Sequence, residues 1–208
     1  MLELKSSLLY SFHLIFHPFD GFWDLKHEKR GSMKGALFIL FLVTLTYILQ
    51  RQFTGFIFNY NQLNQLNIFL EIISVVVPFL LWCISNWCLT TLMDGEGSFS
   101  DIVITTAYAL VPIVIINLPM ILFSNFIVIE EQAFYFFFNS LAVVWSAALI
   151  VLGTMTVHQY SMMKTIITCI LIIVGMGLIV FIFLLFFSLA QQMFGYFITI
   201  YRELTFRL

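Results

Sequence analysis

His13 and His17 stand four residues apart, so on a helix their imidazoles would lie one turn apart, a spacing that can hold a metal ion. A zincin pattern would need Glu directly after the first His, and Leu14 stands there. Pro18 also disfavours helix at His17, so the pair reads as polar residues at an interface and no metal is assigned. A second constellation is DGEGSFSD, residues 94–101, where oxygen-bearing side chains alternate at Asp94, Glu96, Ser98 and Ser100. A calcium loop built this way needs Gly at its sixth position and Glu at its twelfth; this chain has Phe99 and Thr105. The plainer reading is an Asp-Gly turn and a helix start, with Ser98 or Ser100 as the cap and Asp101 favouring the positive end.

Glu130-Glu131 resembles the opening of the EExxxR signature of intramembrane prenyl-type proteases, but the required Arg would fall at Tyr135. No His lies in an apolar span, and there is no GxSxG nucleophile. No catalytic residue and no cofactor is therefore assigned. Cys83, Cys88 and Cys169 all sit in apolar runs without a CxxC, and read as small apolar side chains rather than a disulfide or zinc framework.

The elements that would position any site are dictated by composition. Of 208 residues, 62% are hydrophobic, 18% aromatic and only 10% charged, with mean hydropathy +1.03. A soluble domain has roughly 45–50% apolar and about 25% charged residues, so lipid must be the solvent. The net charge of −2 argues against nucleic-acid binding, which needs a basic stripe. A span needs about 20 mostly apolar residues, and five windows qualify: 34–57, 67–93 with its core at 72–93, 101–124, 133–155 and 165–190. In the first, Gln50-Arg51-Gln52 interrupts the apolar run; Arg51 can snorkel to the interface, with FTGFIF against the headgroups. The expected fold is all-α: a polytopic integral membrane helix bundle of five transmembrane helices. Residues 1–33 form an amphipathic, interfacial N-terminal segment, 34–190 the five-span domain and 191–208 an interfacial C-terminal tail. The stretch LLYSFHLIF does not read as a cleavable signal, because it carries His13 and lacks a small-x-small cleavage site. No internal repeat is visible, so the inverted-repeat plan of many transporters has no footing.

Lys5, Lys26, Lys29, Arg30, Lys34 and Lys164 fall on one side of such a bundle, and Arg51, Arg202 and Arg207 on the other. The excess places the N-terminus in the cytoplasm and the C-terminus outside. Between residues 72 and 155 the apolar parts of the spans contain no Asp, Glu, Lys, Arg or His. A pump or ion-coupled carrier would be expected to show one. Neutral residues such as Asn86 and Asn117 read as helix-packing groups or, alternatively, as a polar substrate path. Pro112 and Pro119 each remove a backbone donor and should bend the third span.

The segment HPFDGFWDLKHEKRGS is the misfit. Pro18 and Gly21 should prevent one continuous helix, and Phe19, Phe22 and Trp23 suit the headgroup layer. Lys26, Lys29, Arg30 and Lys34 suit an anionic surface. A pure anchor has no need of Asp20, Asp24 and Glu28, and a mixed-sign, Trp-bearing patch is what a specific protein contact uses. With Asp94, Glu96 and Asp101 facing the same compartment, these acids would orient the cationic run 26–34 and complete a docking face of Phe19, Asp20, Phe22, Trp23, Asp24, Lys26, Lys29 and Arg30.

The blocks HPFDGFWDLKHEKRGSMKGALFIL, RQFTGFIFN and DGEGSFSDIVITTAYALVP resemble the bacterial branch of the Yip (Ypt-interacting protein-like) domain family, the better markers being Gly95, Gly97, Ser98-Phe99 and the Tyr108…Pro112 pair. The resemblance implies a five-span membrane protein with a cytosolic N-terminus and no catalytic residues. Its N-terminal block is similar to members found with bacterial ABC-type, often carbohydrate, transport systems. The eukaryotic members serve vesicle traffic with small GTPases, a role not expected here because their long cytosolic N-terminal region is not in this sequence. The expected function is a non-catalytic accessory or scaffold subunit in the bacterial cell membrane. Its partners are membrane lipids and other integral membrane proteins such as ABC transporter subunits. The alternatives are a small solute permease or pore, and an intramembrane enzyme.

Overall fold

Lipid offers no partner to a backbone amide, so each apolar window must close its own hydrogen bonds as a helix. In the computed structural model, which describes residues 2–59 and 67–206, every window does so. Two helices come first, α1 (Leu2–Phe16) and α2 (Pro18–His27). Then follow α3 (Met33–Phe53), α4 (Ile68–Leu92), α5 (Phe99–Ala109), α6 (Val111–Phe123), α7 (Gln132–His158) and α8 (Met162–Phe206). Helices α5 and α6 together make one span, so five helical segments are long and apolar enough to cross a membrane. The first span ends at Phe53: Arg51 lies inside its last turn, and residues 54–58 turn away from it. Most of the polar loop 59–67 lies outside the described residues.

The expected bend in the third span sits at Leu110, between Tyr108 and Pro112. Pro112 has no N–H to give the Tyr108 carbonyl, and the chain tightens there through i→i−3 bonds, Leu110 N–H to Ala107 O and Ile113 N–H to Leu110 O, both 3.1 Å. Pro119 and Pro78 lie inside unbroken helices.

Alternating span directions gather residues 2–32, 93–98 and 159–161 at one end, called here the near end. Residues 54–59 and 124–131 and the end of α8 belong to the far end. In the bundle α3 packs on α5 and α6, α7 on both of these, and α4 along α8. Tyr108, fully buried, lies in the core. At the far end the Gly55 N–H donates to Ser124 Oγ at 2.8 Å, tying the end of the first span to the end of the third. Arg51 forms an ion pair with Glu71, joining the last turn of α3 to the first turn of α4.

Three expectations need correction. Phe22, expected in the headgroup layer, lies in the core instead: α1 and α2 pack on one another and α2 packs on α7, with Leu14, Phe22 and Leu25 buried. Gly21 does not break α2. Its missing side chain lets α1 approach, since a Cβ there would come within 2.9 Å of Leu14 Cα. The helical break falls at His17 alone, where Pro18 forces the preceding residue out of the α region. Finally, residues 191–206 are not separate from the fifth span. Helix α8 runs unbroken for 45 residues, about 67 Å at the usual rise, and from Phe181 to Phe206 every described side chain but Ala190 is exposed.

Candidate docking face

The near end is built around the turn between α4 and α5. Helix α4 closes with Met93 as its cap residue and Asp94 in the left-handed region (φ 57°), while the Gly95 N–H donates to the Thr90 carbonyl at 2.8 Å. Asp tolerates that backbone region. The glycines serve a different purpose, close approach: a Cβ on Gly95 would lie 2.6 Å from His158 Nδ1 and one on Gly97 2.8 Å from His158 Cε1. His158 is buried, and its Nδ1 accepts from the Gly97 N–H at 3.3 Å. Ser98 caps α5 through a full capping box with Asp101, the Asp101 carboxylate accepting from the Ser98 N–H at 3.0 Å.

The α4 terminus is closed by cations and hydroxyls from beyond α7. Lys164 Nζ donates to the Met93 carbonyl at 2.8 Å, Tyr160 Oη donates to the same oxygen at 3.0 Å, and the ammonium sits 4.0 Å above the Tyr160 ring. A positive charge is favoured at the carbonyl end of a helix. Burial, and next the Asp94 carboxylate, push the Tyr160 phenol upward in pKa, which keeps it a neutral donor.

The docking residues expected from sequence divide into three sets. Phe22 is fully buried, its ring over the Gly153 backbone (a Cβ at 153 would lie 3.1 Å from Phe22 Cε1), so it belongs to the core and not to a contact surface. Asp24, Arg30 and Glu28 satisfy one another: Arg30 reaches Glu28 at 2.6 Å and Asp24 at 3.7 Å, and Tyr10 Oη donates to Asp24 at 3.0 Å. Burial, and then this Asp24 contact, hold the Tyr10 phenol above its ordinary pKa. The remaining set faces outward. Phe19 (56% exposed) and Trp23 (47%) flank Asp20, and Trp23 stacks on His27 at 3.9 Å. Together Phe19, Asp20 and Trp23 line one wall of a cavity of about 310 Å³ whose other wall is Met155, Thr156 and Gln159.

The expected pairing of the 94–101 acids with the cationic run is made by one bridge, Lys26 to Glu96 at 3.0 Å. Asp101 is committed to its cap, and Asp94 and Lys29 make no ion pair among the described residues. With Glu96 largely exposed, the bridge itself is worth only about 0.2–1 kcal/mol; its value is positional. Cysteines at 26 and 96 are therefore expected to join through a short bis-maleimide in intact membranes. Failure to join, with each single cysteine still labelled, would show that α2 and this turn are apart.

His13 and His17 stack face to face at 4.9 Å on the exposed side of α1, and no cluster of three metal-ligating side chains forms among the described residues. Asn86 and Asn117 are both buried with Oδ1 unpartnered, but they belong to different helices and depths. Asn86 lies between one and two turns from the near end of α4, and Asn117 the same distance from the far end of α6. His158 escaped the sequence reading because TVHQY looks like a polar loop. The signal was spacing: Ala142, Ser146, Leu149, Gly153 and Val157 mark a buried stripe that continues into His158.

A family model described as Yip1 domain matches residues 12–199, from the last turns of α1 into the last turns of α8. Comparison with curated proteins and with solved structures gives no match.

Proposed function

The chain belongs to the Yip1 domain family, and on that premise we propose that it is a non-catalytic accessory or scaffold subunit that docks through its near end onto a larger membrane assembly. The observation that carries this reading is the split personality of α2. One side of this ten-residue helix is locked into the bundle by Phe22 and Leu25. The other presents Phe19, Asp20 and Trp23 beside a cavity. Aromatic side chains are enriched in protein contacts, and a surface held rigid beforehand loses little entropy on binding. The near end faces the cytoplasm in this reading, because Lys26, Lys29, Arg30, Lys34 and Lys164 all lie there. The proposed partner is a bacterial ABC-type transporter, on the likeness of the 17–40 block to members found with such systems.

Trp23→Ala combined with Asp20→Ala is expected to lower recovery of the bound assembly in a mild-detergent pull-down by about 30-fold, the effect of losing one interface hot spot of 2 kcal/mol. Membrane insertion should be unchanged. Recovery equal to that of the unaltered chain would reduce α2 to a structural element, and saturable solute flux by the purified chain in liposomes would move the assignment to a pore.

A further inference from the structure

The far end holds a polar cleft of about 460 Å³ between the end of α3, the start of α4 and the first turns of α7. We infer that it binds an uncharged, hydroxyl-rich headgroup, that of a glycosylated membrane lipid, independently of the near-end docking face. Three features point there. First, the charges are already spent on each other: Arg51 and Glu71 are paired, so the cleft has no net pull on an ion. Second, its neutral groups retain both kinds of hydrogen-bonding capacity. Gln50 Nε2 donates to Asn139 Oδ1 at 3.2 Å and lies 3.4 Å from Tyr135 Oη. Among the described residues that leaves the Gln50 side-chain oxygen as an acceptor, and the Asn139 amide and the Tyr135 hydroxyl hydrogen as donors. Were both amides turned over, one carbonyl and one NH₂ would still be left. Hydroxyl groups, which donate and accept at once, match such a mixed lining.

Third, the cleft has an aromatic floor and an open side. The buried rings of Phe58 and Tyr135 stack at 5.1 Å and close the inner end of the cleft. Phe136 and Val143, exposed on the outside of α7, form the lip that faces the acyl chains. The cleft sits at the ends of α3 and α4, at headgroup depth, and its volume is within the roughly 300–1,000 Å³ typical of small-ligand sites. Arg51 Nε is buried in this wall without a partner among the described residues.

The test uses the full chain, purified in a detergent without a sugar headgroup and placed in phosphatidylcholine nanodiscs doped with monoglucosyl diacylglycerol or with plain diacylglycerol. Native mass spectrometry should show the glucosyl lipid retained at least fivefold over diacylglycerol. Tyr135→Phe, which keeps the ring stack, and Asn139→Ala should each lower that preference at least threefold. Methyl glucoside added in solution separates the sources: failure to compete supports a lipid ligand, and full competition at low millimolar concentration would reassign the site to a soluble saccharide. Equal retention of the two lipids, or a preference untouched by both substitutions, would overturn the inference.

Discussion

Phe22→Ala is expected to destabilise the folded chain by about 3–5 kcal/mol, the cost of emptying an aromatic side chain from a packed core. Phe22 has no exposed surface and its ring closes over Gly153, with Leu14 and Leu25 in the same cluster. The loss should appear as a lower midpoint in denaturant titrations of the detergent-solubilised protein. It should also open the 28–32 segment to protease. Trp23→Ala, one position along on the exposed side, is expected to leave the midpoint nearly unchanged. That contrast separates two descriptions of the N-terminal segment. Were it a surface anchor, Phe22 and Trp23 would be interchangeable rings in the headgroup layer and neither change would reach the bundle. Equal, small effects of the two substitutions would restore the anchor.

The same pair of residues shows what sequence can and cannot disclose. Spans are legible because lipid imposes one requirement on every residue of a window, and the five windows all appear within helices, the first four with ends close to where polar residues interrupt them. The capping box of Ser98 and Asp101 is legible because it is local. The burial of Phe22 is not local: it depends on Gly153, which reaches it only after four spans have folded. Gly21 was expected to break a helix on propensity, but tight packing on Leu14 outweighs the roughly 1 kcal/mol that glycine costs there. The sequence places the end of the fifth span at 190, where Gln191-Gln192 lowers the hydropathy. A helix ends where its hydrogen bonds stop, however, and nothing between 191 and 206 removes a donor or demands a turn. Leaving the hydrocarbon and leaving the helix are separate events.

Breaking the far-end ion pair should give the second large effect, and its sign pattern is diagnostic. Arg51→Ala leaves Glu71, 7% exposed, without its partner. Removing one member of a buried pair costs about 3–5 kcal/mol, whereas replacing both by apolar residues is often neutral or better. Arg51 is more than a third exposed, so the lower end, about 3 kcal/mol, is expected. Arg51→Met with Glu71→Leu should recover most of that loss, and the coupling in the double-mutant cycle should fall within the usual 0.5–3 kcal/mol for contacting residues. Each charge also suits its own helix, the cation in the last turn of α3 and the anion in the first turn of α4. Some destabilisation should therefore persist in the double variant. Strict additivity of the two single changes would mean that the charges act only on their own helix ends, and that the first two spans are held together at the far end by packing alone.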